Sequence, residues 1–153
     1  MRSEVDFDVR AFQMKCLEIM DTFDAVCRAN GLRYYMACGT MLGAVRHKGF
    51  IPWDDDVDVY MPRPDYDRLV KNARKWLPAP LKMVECESDI TFPHYYGKIE
   101  DESTTMIERV YLGHFGGVWI DIFPVDGVTD CKLLRKLHVR RFKFWRKMLY
   151  YVY

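Results

Sequence analysis

Residues Cys38 to Val59 read CGTMLGAVRHKGFIPWDDDVDV, and the last four, Asp56-Val57-Asp58-Val59, alternate acid with apolar side chain. Alternation from Asp56 to Met61 predicts a strand, because successive strand side chains point to opposite faces. Asp56 and Asp58 then share one face, while Val57 and Val59 enter the core from the other. Two carboxylates held side by side repel each other. A divalent cation between them removes that penalty, and Mg²⁺ prefers carboxylate and phosphate oxygens. A cation held in this way bridges a nucleotide's phosphates and stabilises the charge that develops in phosphoryl transfer.

Toward the N-terminus, Leu32 to Cys38 is short, aromatic and apolar, which predicts a strand. Gly39-Thr40 breaks it, and Met41 to His47 is expected as a short helix with Thr40 as N-cap. A helix N-terminus offers unpaired amides; Gly39 lets a phosphate approach them, and Thr40 adds a hydroxyl. Lys48-Gly49 ends the helix, and Pro52 keeps Phe50 to Asp55 a loop. Further back, Phe12, Cys16, Ile19, Phe23 and Val26 recur at three- and four-residue spacing, which predicts a helix over 8–29 stopped by Asn30-Gly31.

Toward the C-terminus, Pro62 to Pro64 is expected to turn the chain into a helix over Asp65 to Leu77. Its inward residues are Tyr66, Leu69, Val70, Ala73 and Trp76, and Pro78 and Pro80 end it. Strands are expected at Leu81 to Glu87, Tyr95 to Glu100 and Val118 to Phe123, with a further one at Thr104 to Val110 and a hairpin near Asp101. Strands interspersed with helices give an α+β or mixed α/β fold around one sheet. The segment Trp119-Ile120-Asp121-Ile122-Phe123 carries a single acid in an apolar strand. Such a carboxylate is costly unless paired or metal-bound, so Asp121 is the candidate third ligand beside Asp56 and Asp58.

The chain has 153 residues, half of them hydrophobic, enough for one domain with a core and too apolar for a disordered chain. No apolar run approaches a membrane span, and Met1 to Arg10 has no signal-peptide core, so a cytoplasmic protein is expected. The five cysteines contain no Cys-x-x-Cys and are expected as reduced, mostly buried thiols. The four histidines lack metal-ligand spacing. The net charge of +1 hides an asymmetry: residues 131–153 hold eight Lys or Arg and no acid, leaving the first 130 residues at −7.

Beyond these single features, the whole run from Cys38 to Val59, with its Gly-Thr, Arg46-His47-Lys48-Gly49 and Pro52-Trp53-Asp54-Asp55-Asp56, closely resembles the signature of the LicD family. That family includes bacterial phosphocholine transferases and is similar to the fukutin-type ribitol-phosphate transferases. Pro64 to Leu69, Tyr95 to Ile99 and Trp119 to Asp126 resemble later segments of the family, so the likeness spans about residues 12–127. It implies an α+β, nucleotidyltransferase-like (polymerase-β-like) mixed sheet flanked by helices. It also implies Mg²⁺ or Mn²⁺, and transfer of phosphocholine or a similar phospho-alcohol from a CDP-linked donor. The acceptor is expected to be a glycan or lipid-linked glycan of the cell surface, such as a lipopolysaccharide or teichoic acid precursor. Asp56, Asp58 and Asp121 fall on the metal carboxylates, Asp121 also taking the acceptor proton by analogy, and Gly39 and Thr40 fall on the phosphate-binding turn. Residues 1–130 are expected to be the catalytic domain. Family members continue beyond a basic helix, so residues 131–153 are expected to begin a truncated or missing C-terminal part.

Other residues carry two readings each. Arg46, and less so His47 and Lys48, contact donor phosphate or acceptor, or else are favourable cations at a helix C-terminus. Lys98 neutralises phosphate or is a solvated strand residue. Asp54 and Asp55 hold the loop or assist the metal, and Trp53 is a packing anchor or a stacking platform. Over 131–150 a helix is expected, with Lys132, Lys136, Arg140, Lys143 and Lys147 as one cationic stripe. The stripe is a solvated face or a peripheral contact with the anionic inner face of a membrane; nucleic acid fits poorly with an acidic body. Two competing functions remain: a nucleotide-sugar-dependent glycosyltransferase using Asp-x-Asp, and a non-catalytic nucleotide-binding domain.

Overall fold

A computed structural model describes residues 8–85, 92, 94–106 and 115–152. Helix α1 (Val9–Asn30) is opened by Asp8, whose carboxylate accepts the Ala11 amide at 3.0 Å, and closed by Gly31 in the left-handed region at φ 61°. Then follow β1 (Tyr35–Met36), α2 (Cys38–Arg46), β2 (Asp58–Pro62), α3 (Arg63–Trp76), β3 (Leu81–Val84), β4 (Gly97–Met106), β5 (Gly116–Val125) and α4 (Lys132–Val152). The strands form one mixed sheet in the order β1-β2-β5-β4-β3. Only β2 and β5 run parallel; the other neighbours are antiparallel. This is the expected α+β class: a mixed sheet with flanking helices.

One core joins the sheet to two helices. Cys16, Ile19, Phe23 of α1 and Tyr66, Leu69, Ala73 of α3 close over Val59, Met61, Ile99, Ile120 and Ile122. Each fully buried Ile or Val is worth about 1.5–3 kcal/mol relative to exposure. Because strand side chains alternate, this burial commits the intervening residues, Asp58, Asp121 and Lys98 among them, to the opposite face.

Several expectations are corrected. The predicted strand over Leu32 to Cys38 shrinks to Tyr35–Met36, because Cys38 takes φ 42° and turns the chain into α2. That helix starts at Cys38, three residues before the expected Met41, with Ala37 as an N-cap that offers no side-chain bond. Strand β2 starts at Asp58, so Asp56 lies ahead of the strand instead of inside it. Helix α3 starts directly at Arg63; Pro64 is tolerated in its first turn, where the missing amide costs no helix bond. Val70 and Trp76 of α3 are only partly buried, yet both pack on the core.

The expected hairpin near Asp101 is absent. Strand β4 runs on through Asp101 with a register shift before Met106. Asp101 is buried, ion-paired to Lys15 of α1 at 2.7 Å, and takes the Ser103 amide at 2.8 Å. Those partners accommodate an irregular strand where the composition suggests a turn. Thr104 to Met106 therefore ends β4, and residues 107–110 lie outside the described residues, as do Cys86 and Glu87 of the strand expected at Leu81 to Glu87. Of the described cysteines, Cys16 and Cys27 are buried but Cys38 and Cys131 are exposed. Burial pushes both the Cys16 and the Cys27 thiol up to about 12. No helix among the described residues is long and apolar enough to cross a membrane.

Candidate active site

Three ionisable residues lie in one row across the sheet. In the parallel β2–β5 register Asp58 stands beside Asp121, and in the antiparallel β4–β5 register Asp121 stands beside Lys98. Neighbouring strands lie about 4.8 Å apart, so all three side chains leave the same face within reach of their neighbours. All three residues are buried. Lys98 Nζ lies 3.8 Å from Asp121 Oδ1 and 3.7 Å from the centre of the Trp119 ring. The ammonium is thus held between a carboxylate and an aromatic face, both of which favour its charge. The reading of Lys98 as a solvated strand residue is corrected, since it is buried with its ammonium near Asp121; Asp58 is the acid at the other end of the row.

Asp56 approaches this row from the loop before β2. The ladder reaches back beyond Asp58, since the Asp121 amide donates to the Val57 carbonyl at 2.8 Å. The Asp56 carboxyl is pushed up to about 6, first by burial and then by the charges of Asp58, Asp54 and Asp55. Burial also raises Asp58, partly offset by a hydrogen bond from Cys38. The acids crowd one another, and such crowding is relieved by a cation or by a shared proton. Among the described residues no three His, Cys, Asp or Glu side chains close into a ready-made metal cage. The donor set is an aligned pair, Asp58 and Asp121, with Asp56 beside it. This suits Mg²⁺, which is commonly held by one or two carboxylates and completed by phosphate and water.

Helix α2 and its following loop position the acids. Thr40 is not an N-cap: its hydroxyl oxygen accepts the Asp58 amide at 2.8 Å and pins the start of β2. Gly39 faces a carboxylate, not an open space. A Cβ there would stand 2.5 Å from Asp54 Oδ2, so the loop carboxylate packs closely against this glycine. A Cβ at Gly43 would stand 2.6 Å from the Gly49 carbonyl oxygen, which is why the loop folds back tightly on α2. Cys38, in the left-handed region, brings its thiol 3.6 Å from the Tyr60 hydroxyl.

Arg46 ends α2, six residues beyond Thr40 and roughly 9 Å along the helix axis. It is exposed, with Nε 3.2 Å from His47 Nδ1. Trp53 is 74% exposed and meets His47 edge-on, which argues against a packing anchor. Lys48, at φ 59°, is also exposed.

One residue of the site escaped the sequence reading. Gln13 of α1 is buried, and its amide donates to the Ile51 carbonyl at 3.1 Å and the Asp54 carbonyl at 2.7 Å. It ties the acidic loop to the core. The available signal was a polar residue in register with Cys16, Met20 and Phe23 on the buried stripe of α1.

Comparison with known proteins adds to this geometry. The profile of the family described as LicD/FKTN/FKRP, nucleotidyltransferase domain, matches residues 31–150. The lipopolysaccharide cholinephosphotransferase LicD of Haemophilus influenzae is 39% identical over 126 residues, covering 80% of this chain and 46% of that protein. The ribitol 5-phosphate transferase FKRP of Homo sapiens is 53% identical over 34 residues, 22% of this chain and 7% of that protein. An uncharacterized protein of Rickettsia prowazekii is 49% identical over 39 residues, 26% of this chain and 14% of that protein. The chain thus spans less than half the length of the curated relatives it matches.

Proposed function

The chain belongs to the LicD/FKTN/FKRP nucleotidyltransferase-domain family, and from that premise we propose that it transfers phosphocholine or a similar phospho-alcohol from a CDP-linked donor to a hydroxyl of a cell-surface glycan or glycolipid precursor. The observation that carries this reading is the register of Asp58 beside Asp121, with Asp56 crowded against them. The names of the relatives supply the transferred group: one is a cholinephosphotransferase acting on lipopolysaccharide, another a ribitol-phosphate transferase. A nucleotidyltransferase-like architecture is the corresponding reading of the mixed sheet.

In this reading Asp58 and Asp121, assisted by Asp56, hold Mg²⁺ or Mn²⁺. Such an ion supplies charge stabilisation to the transferring phosphoryl group. The acceptor oxygen attacks phosphorus in line; the new oxygen–phosphorus bond forms as the bond to CMP breaks. The acceptor proton goes to a carboxylate, which we assign to Asp121 by family analogy. Lys98 orients Asp121. Thr40 sets the start of β2, and Gln13 and Gly43 fix the loop that carries Asp56.

The test is a panel of CDP-alcohols with Mg²⁺ or Mn²⁺ and candidate glycans, read as CMP release and glycan modification. CMP release with a modified glycan supports the proposal. Release of a nucleoside diphosphate from sugar donors would replace it by glycosyl transfer, and no metal-dependent turnover with any donor would leave a non-catalytic domain.

A further inference from the structure

Helix α4 is exposed at every residue from Lys132 to Met148. At about 100° per residue its side chains sort into two sectors. Lys132, Lys136, Arg140, Lys143 and Lys147 fill one, flanked by Arg135 and Arg146. Leu133, Leu137, Phe144 and Met148 begin the other, which continues through Leu134, Trp145 and Phe142 and is interrupted by Arg141 and His138. Trp145, Phe142 and Phe144 are each 58–60% exposed, so the apolar sector has no cover among the described residues.

The charge pattern narrows what covers it. Lys132–Lys136, Lys136–Arg140 and Lys143–Lys147 are like-charge pairs one helical turn apart, and such pairs destabilise a helix. The helix holds no acid to offset them. A surface of dense negative charge removes that repulsion, while an apolar sector rich in Trp, Phe and Leu matches the boundary between headgroups and acyl chains. Helix α4 is too charged to span a bilayer.

We propose that α4 lies in the plane of an anionic lipid bilayer, with the Leu134–Trp145 sector at the acyl boundary and the lysine stripe among the headgroups. Helix α4 follows β5, the strand that carries Asp121, and the exit of β5 is clamped where Arg63 binds both carboxylate oxygens of Asp126 at 2.7 and 2.9 Å. The proposal itself does not depend on the transfer reaction.

The experiment is co-sedimentation of the full chain with vesicles of phosphatidylcholine alone or with about one-third phosphatidylglycerol, at low and high salt. Binding to the anionic vesicles only, weakened by salt, is expected. Each cation contributes roughly fivefold to partitioning, so Lys136→Glu with Lys143→Glu should lose at least about 25-fold. Tryptophan emission should shift to the blue on binding, and Trp145→Phe should remove that shift while unfolding as the parent does. Equal sedimentation with both vesicle types, or parent-like binding by the double variant, would overturn the proposal. So would self-association abolished by Trp145→Phe in the absence of vesicle binding, which would assign the face to a second copy of the chain.

Discussion

Asp56 and Asp58 stand two residues apart, yet they are held by different means. Asp58 is fixed by the sheet: its amide donates to Thr40, its carbonyl accepts the Ala37 amide, and its neighbour across the ladder is Asp121. Asp56 is fixed by a loop, which packs on α2 at Gly43 and is tied to α1 by Gln13. The ladder gives rigid spacing at no local strain. The loop gives a carboxyl that is crowded and pushed up to about 6. An acid in the first setting is positioned by backbone pairing, whereas one in the second depends on side chains that a point mutation can remove.

The largest effects should come from removing charge at the acids themselves. Asp58→Asn, Asp121→Asn and Asp56→Asn should each lower CMP release by about a thousandfold, since several kcal/mol of charge stabilisation is lost. The double variant of Asp58 and Asp121 should be no worse than either single one, because residues acting as a unit are not additive. Full activity in any single variant would remove that residue from the site. Next in size is Gln13→Leu, which strands two loop carbonyls. About 2 kcal/mol of stability in urea titration and roughly tenfold in rate should be lost together. If stability falls but the rate per folded molecule does not, the loop is fixed by other contacts.

A smaller effect separates the two acids by pH. The folded-state value of Asp56 is raised above its unfolded value, so the folded chain holds this proton more tightly than the unfolded chain does. Stability is therefore lost as pH rises from about 4 to about 6 and stays lost above that window. Asp56→Asn should stabilise the chain by about 1 kcal/mol at pH 8, discounted for partial exposure, and by nothing near pH 4. Urea titrations in chelator at the two pH values measure this; a gain equal at both would point to packing instead of charge. The smallest effect belongs to the Arg63–Asp126 clamp. Arg63 holds the Asp126 carboxyl below its usual range. That contribution is present at neutral pH and is lost as pH falls through the depressed folded value. Because Asp126 is 60% exposed, Asp126→Asn should cost only about 0.5 kcal/mol.

What the sequence made legible follows the range of the interactions involved. The long helix α1 was readable because its apolar spacing is local, and β5 because one acid interrupts an apolar run. The pairing of Asp58 with Asp121 was inferred from chemistry, and the register places them side by side. Misread features depend on distant partners. Thr40 looks like a cap until Asp58 donates to it, and Asp101 looks like a turn until Lys15 reaches it.

The parallel pairing of β2 with β5 has a consequence for how the protein comes into being. It joins Asp58 to Asp121 and Arg63 to Asp126, each pair 63 positions apart. Contacts of such long range close late, after local helices and hairpins have formed. A chain emerging from the ribosome can form α1 and α3 while Asp58 still lacks its neighbour Asp121. The acidic row is complete only when β5 lies between β2 and β4.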